Sequence, residues 1–282
     1  MKLTNRKGLA MVVAAATIWA QASAAGADAG RFDDPTYNIE AWVKVDADTS
    51  GRLIYRRSRM VAYGVPMGSF SEPLFGMIGV TKKAYRRMEG GGYESRWEGC
   101  GLYADPETWE LIDSFENPYT GETIALKPMC TLISGARLTA EDGFSMIAPF
   151  AMESSIFERP YVLDWHVVGD TAFMQRKAHT QWQEPSSGKV KYEMTIDSAA
   201  VPVAQLDDPS LTSIDVPLAH TLVTEWMTML NMGDTPGSML WRADMTKHFD
   251  ASEIPEHIRT AMEATRPDFF TKELSFDDQD DE

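Results

Sequence analysis

The sequence predicts an all-β, mainly antiparallel protein: a curved sandwich or closed β-barrel of about 10–12 strands with one C-terminal α-helix. Three observations lead there. From residue 39 onward, short runs rich in Val, Ile, Thr, Tyr and Trp alternate with clusters of Gly, Pro and Asp, as strands alternate with tight turns. No fixed repeat appears, and no segment reads as a linker, so residues 25–275 form one β-rich domain. The last part of the chain then switches to a helical period.

Taken in order, strands are expected near 38–46, 52–63, 74–88, 94–104, 109–116 and 122–130, then near 144–152, 160–168, 171–183, 189–202, 218–230 and 237–246. The stretch "YADPETWELIDSFENPYTGE" contains two corners. Asp105-Pro106 and Asn117-Pro118 suit the first positions of type I turns, because proline pre-sets φ, and Gly121 can take the left-handed position that closes a hairpin. A calcium loop would need oxygen ligands at alternating positions around a central glycine, a pattern that Pro118 and Tyr119 interrupt. Residues 97–130 therefore read as a three-strand meander. With Cys100 on its first strand and Cys130 at the end of its third, an intervening strand would hold the two beyond disulfide reach, so both thiols are expected to stay free. Near the end, Asp250 and Glu253 form a capping box. Ile254, Ile258, Ala261 and Met262 then repeat at helical spacing, which predicts a helix over 252–264. Residues 276–282, FDDQDDE, read as an acidic, disordered tail.

The first 24 residues read as a secretory signal peptide. Lys2, Arg6 and Lys7 precede the apolar run GLAMVVAAATIWA, and Ala22-Ser23-Ala24 offers small residues for cleavage. The expected location is the periplasm or the exterior, without stable membrane insertion after cleavage. The whole chain carries a formal charge of −16; removing those three cations leaves −16 − 3 = −19. Such a charge repels nucleic-acid phosphates, so no nucleic-acid partner is expected. The cations are concentrated: residues 52–96 hold nine (Arg52, Arg56, Arg57, Arg59, Lys82, Lys83, Arg86, Arg87, Arg96) against three acids (Glu72, Glu89, Glu94). Either these basic strands face an acidic remainder of the same molecule, or they form a mouth selecting an anionic ligand such as a carboxylate.

No G-x-S-x-G, P-loop, H-E-x-x-H or C-x-x-C occurs, and "EGGGY" lacks the βα unit of a nucleotide fingerprint. No cofactor or metal is implied. Of five histidines, His166 and His179 share the hairpin that turns at Gly169-Asp170. His166 should face Phe173 there, leaving His179 roughly 20 Å away at the strand rise, too far to share a metal. That hairpin has one apolar face (Tyr161, Leu163, Trp165, Val167, Ala172, Met174, Ala178) and one polar face (Asp164, His166, Phe173, Gln175, Lys177, His179). The polar face is expected to meet solvent. Were the faces exchanged around a polar cavity, His166 with Asp164 would be an acid–base candidate; Glu98, set among aromatics, would serve as a general acid if burial raised its pKa. Arg96 and Arg57 are the candidate anion contacts, and Trp165, Trp182, Trp226 and Trp241 the candidate apolar wall, although a tryptophan-rich core is the commoner explanation.

"SRWEGCGLYADPETWELIDSFENPYTGETI", "NMGDTPGSMLW" and "SEIPEHIRTAMEATRPDFF" resemble segments of the bacterial domain-of-unknown-function family 1838 (DUF1838). The D-P and N-P-x-T-G corners sit at that family's spacing, although this chain reads Arg96-Trp97-Glu98 where the family sets arginine and glutamate side by side. The resemblance implies an exported protein and no particular reaction. The expected function is to bind a small, mostly apolar, carboxylate-bearing molecule in the interior. The alternative is a cofactor-independent lyase, isomerase or hydrolase acting in the same cavity. N-terminal sequencing of exported material should find a start near Ala25, whereas an intact Met1 in the cytosolic fraction would contradict export.

Overall fold

A computed structural model describes residues 29–68, 71–131, 133–147, 154–156, 161–183 and 190–276. The leader-like residues 1–24 and the acidic residues 277–282 lie outside that range. Fourteen strands form: β1 (Ile54–Pro66), β2 (Glu72–Arg87), β3 (Tyr93–Ala104), β4 (Ser114–Glu116), β5 (Thr123–Ala125), β6 (Met129–Cys130), β7 (Ser134–Thr139), β8 (Gly143–Ile147), β9 (Ser154–Ile156), β10 (Asp164–Val168), β11 (Thr171–Gln183), β12 (Val190–Pro202), β13 (Leu218–Thr224) and β14 (Gly237–His248). Twelve of them make one antiparallel sheet in the order β10-β11-β12-β13-β14-β1-β2-β3-β7-β8, with β6 beside β3 and β9 beside β11; β4 and β5 pair separately. The expected antiparallel β architecture is what forms. Among the described residues no hydrogen-bonded pair joins β10 to β8, so the sheet is not a closed barrel.

It nevertheless curls. Ala136 and Leu138 of β7 share one buried cluster with Leu163, which precedes β10, and Met174 of β11, with Phe144 of β8 packed against it. Arg176 of β11 stands 5.8 Å from the Phe144 ring, although β11 and β8 lie near opposite ends of the strand order. One face of the sheet is therefore an interior. Directly opposed residues of an antiparallel pair share a face, so the registers assign the inward side chains: Arg56, Ser58, Met60 and Ala62 on β1, Lys83 and Thr81 on β2, Met174 and Arg176 on β11, Asp197 on β12, His220 on β13 and Lys247 on β14.

The expected strand at 38–46 is a helix, α1 (Pro35–Asp46). The Asp34 carboxylate accepts from Thr36 N, and Pro35 occupies the first helical turn, a strong start signal. The run of Ile39, Val43 and Val45 reads as strand only because this helix is buried on nearly every side, which erases its amphipathic period. It fills one end of the curled sheet, and at the other end Phe75, Tyr103, Met239 and Trp241 pack together.

The meander also departs from expectation. Asp105 accepts from the backbone of Glu107 and Thr108, and Asn117 accepts from Tyr119 N while donating to Leu230 O, so both corners form as turns. They lift 105–126 off the large sheet as the β4–β5 hairpin, and the returning chain places β6 directly beside β3. Cys100 then faces Cys130 at a Cα separation of 4.1 Å, and the two form a disulfide. The expectation of free thiols fails because no strand intervenes. On the outward face, the capping box at Asp250 and Glu253 forms and leads into α3 (Glu256–Thr265). The short α2 (Val203–Asp207) follows β12. Ile258, Met262 and Phe269 cover Ile78, Val80, Cys100 and Leu102.

Replacing Cys100 and Cys130 together by Ser should cost about 3–4 kcal/mol, the loop-closure value for a 30-residue separation. The check is the urea midpoint of the double variant against the oxidised protein.

Candidate functional site

Charged side chains gather where α1 ends inside the sheet. Its last carbonyls cannot reach water, and cations from three adjacent strands supply the missing donors. Lys247 of β14 donates to Lys44 O and Ala47 O at 2.8 Å, Arg56 of β1 donates to Asp46 O at 2.8 Å and to Val45 O, and Lys83 of β2 donates to the Asp46 carboxylate at 2.8 Å. Tyr85 gives Asp46 a further hydrogen bond at 2.6 Å. Burial alone would raise the Asp46 pKa, but Lys83 and Arg56 outweigh it and hold the group far below 3.8. Burial, with Asp46 beside it, pushes the Tyr85 hydroxyl well above its usual range.

A second group follows along the interior. The Arg176 guanidinium lies 4.3 Å from the centre of the Trp42 ring of α1 and pairs with Asp197 at 2.6 Å. The other Asp197 oxygen lies 2.7 Å from His220 Nδ1. Asp197 is 4 % exposed; burial opposes its charge, yet Arg176 and His220 keep its pKa below 3.8. An ionised carboxylate only accepts hydrogen bonds, so Nδ1 must carry the proton. In the neutral ring Nε2 is then a lone-pair acceptor, and it has no hydrogen-bond partner among the described residues. The His220 side chain keeps 15 % exposure. Glu193, four residues before Asp197 on the same face, is half-buried with no hydrogen bond among the described residues; burial raises its pKa above 4.5 against the opposing effect of His220. The Tyr161 hydroxyl is buried beside Arg176, and burial raises its pKa against the opposing effect of that guanidinium.

Between the two interior clusters the inward side chains Met60, Thr81, Trp97, Glu193, His220 and Leu222 are only half-buried. A closely packed core would seal them. The arrangement is a polar end, made of an acceptor nitrogen backed by a carboxylate and a second carboxyl with raised pKa, above an apolar wall.

The residues singled out from sequence lie elsewhere. Val168 faces Thr171 and His166 faces Phe173, as the hairpin register requires. Its apolar face turns inward, so Asp164 and His166 are exposed, and Asp164 pairs with Lys177. Glu98 is 0 % exposed beneath the C-terminal segment, paired with Lys82 at 3.1 Å and Arg266 at 2.5 Å. His166, Asp164 and Glu98 therefore do not converge. Arg96 is buried against Glu94 at 2.7 Å, and Arg57 lies on the outward face. Trp165 donates to Asn38 Oδ1 at 2.6 Å and packs on Phe32, tying β10 to the segment around α1. Trp241 is interior but packed on Phe75, and Trp226 donates to Thr235 O at 3.0 Å beside Tyr119. The Trp182 side chain lies outside the described residues. Arg176, Asp197, His220 and Glu193 were missed. The available signal was Arg176 itself, a charge between Met174 and Ala178 on a face that must be buried.

The depressed pKa values of Asp46 and Asp197 fix the sign of one pH effect. Their stabilisation is complete above the ordinary 3.8 and is lost as pH falls through the lower folded values. Urea stability should therefore drop below about pH 4. Asp197→Asn should cost about 3–5 kcal/mol at pH 7, because Arg176 loses its buried counter-charge, and should flatten the acid limb. Parallel melts of both proteins across that range provide the check.

Comparison with known proteins adds the family. No curated protein and no solved structure matches the chain. The family model described as "Protein of unknown function (DUF1838)" matches residues 53–282, a span that contains Arg176, Asp197, His220 and Glu193 but not α1. The chain belongs to the DUF1838 family.

Proposed function

We propose that the curled sheet holds a small, mostly apolar molecule and that His220 moves a proton on it without a cofactor, as in an isomerase or lyase. The observation that carries this reading is the His220 ring, bonded through Nδ1 to an ion-paired carboxylate and unbonded at Nε2. In that state Nε2 accepts a proton, and Asp197 stabilises the imidazolium that results. Glu193, with its raised pKa, is the acid that returns a proton. Trp97, Met60 and Leu222 provide the apolar surface. Binding without turnover would need no such convergence of titratable groups. Export to the periplasm or exterior belongs to the same proposal, supported by the leader pattern and by a disulfide that suits an oxidising compartment.

The test begins with mass spectrometry of a solvent extract of the native protein, followed by incubation with the extracted molecule. Turnover should appear with wild type and fall by about 10²–10⁴-fold in His220→Gln, with retention of the molecule kept. Equal turnover in His220→Gln would overturn the assignment. Retention with no turnover in either protein would make this a binding protein.

A further inference from the structure

Seven of the nine cations of residues 52–96 find acidic partners within the molecule: Arg52 with Asp48, Arg56 and Lys83 with Asp46, Lys82 with Glu98, Arg86 and Arg96 with Glu94, and Arg87 with Glu40. Arg57 and Arg59 are left over. Both point outward from β1, and Arg242 of β14 points outward beside them, opposite Val61. None of these three forms an ion pair among the described residues; Arg59 meets only the Trp109 ring, at 5.3 Å. Asp244 stands across from Arg59 without an ion pair among the described residues, so three adjacent guanidinium groups against one carboxylate leave a net positive, anion-selective spot in a chain of net charge −16.

We infer that this outward face is a second site, separate from the interior, which takes a single-chain amphipathic carboxylate. The arginines line a groove of about 630 Å³ together with Trp109, Tyr63 and Asp244, and His220, whose side chain the register turns to the opposite face, borders it on β13. A second groove of about 510 Å³ adjoins it, sharing Ala219 and Asp244, and runs to Phe173 and His166. Registers explain the trough. Asp164, Gln175, Ser198, Ala219, Asp244 and Arg59 are successive cross-strand neighbours from β10 to β1, and Phe173 faces Ala200. Small side chains at Ser198, Ala200 and Ala219 make a low floor between Phe173 and the arginines. Four strand spacings separate β11 from β1, roughly 19 Å. The apolar end is Phe173, 47 % exposed, and the cationic end is Arg57, Arg59 and Arg242.

The wall beside Arg59 is built at a local cost. Trp109 has φ 64°, a left-handed conformation that an aromatic residue rarely adopts. The 105–109 turn holds it through Trp109 N donating to Asp105 O at 3.0 Å. Its ring lies over Gly76, where an added Cβ would come within 3.3 Å of it. Gly76 and the strained turn together let the ring approach the sheet beside Arg59. The overall negative charge opposes an anionic bilayer, so the occupant is a dissolved monomer and not a lipid in a membrane.

Calorimetry of the full-length mature protein with dodecanoate, and with dodecanol as the uncharged probe, tests this. Dodecanoate should bind more tightly than dodecanol. The double variant Arg57→Gln/Arg242→Gln, at exposed or half-exposed positions, should bind dodecanoate at least about tenfold more weakly with an unchanged far-UV spectrum, while dodecanol binding should stay as it was. Phe173→Asp should weaken both. Glu193→Gln, an interior change that borders neither groove, should weaken neither, which separates this site from the interior one. No binding of dodecanoate, equal binding by the arginine variant, loss in Glu193→Gln alone, or capture only on phosphatidylglycerol vesicles would each overturn the proposal.

Discussion

The fold depends on how a helix can end inside a sheet. The last carbonyls of α1 are withdrawn from water with Asp46 among them, and each unmet acceptor in such a place costs about 1–3 kcal/mol. Arg56, Lys83 and Lys247 come from β1, β2 and β14, three strands adjacent in the sheet, and converge on that single point. Lys247 also donates to Ser213 and Ile214 O, which brings the 208–217 connection over the helix end. Cations at a helix C-terminus are favourable in any setting. Buried among strands, they also favour as the interior the strand face that brings them to these acceptors.

From that anchor the candidate site follows. α1 carries Trp42, the Trp42 ring supports Arg176, Arg176 fixes Asp197, and Asp197 orients His220. Each member is held by the previous one, so a half-buried titratable ring is oriented by a helix on the far side of the same cluster. The disulfide and the C-terminal helix act on the outward face instead, where Ile258, Met262 and Phe269 close over Cys100 and Val80. Outward, the C-terminal segment covers Ile78, Val80, Cys100 and Leu102 of β2 and β3, while Arg57 and Arg59 of β1 line a groove; inward, Met60, Thr81, Trp97 and Leu222 stay half-buried.

Much of this was legible in the chain. Gly169-Asp170 sets the β10–β11 register, and period-two alternation gives its apolar face. Asp105-Pro106 and Asn117-Pro118 give two corners, and Asp250 with Glu253 gives the start of the last helix. Other features depend on contacts distant in sequence. α1 lacks an amphipathic stripe because it is buried all round, so Val43 and Val45 pass for strand residues. Cys100 and Cys130 meet because two turns eject the hairpin between them. His220 looks like any strand histidine until β12 places Asp197 across from it. Asp164 and His166 attracted attention because they adjoin one another, whereas the groups that do converge come from separate strands.

The proposed proton transfer depends most directly on the state of one imidazole. Long-range proton–nitrogen NMR of isotope-labelled protein near pH 8 reads which ring nitrogen of His220 carries the proton, with His220→Gln supplying the assignment. The expected result is the Nδ1–H tautomer with an unprotonated Nε2, and loss of that preference in Asp197→Asn. An Nε2–H tautomer, or a His220 signal that Asp197→Asn leaves unchanged, would contradict it.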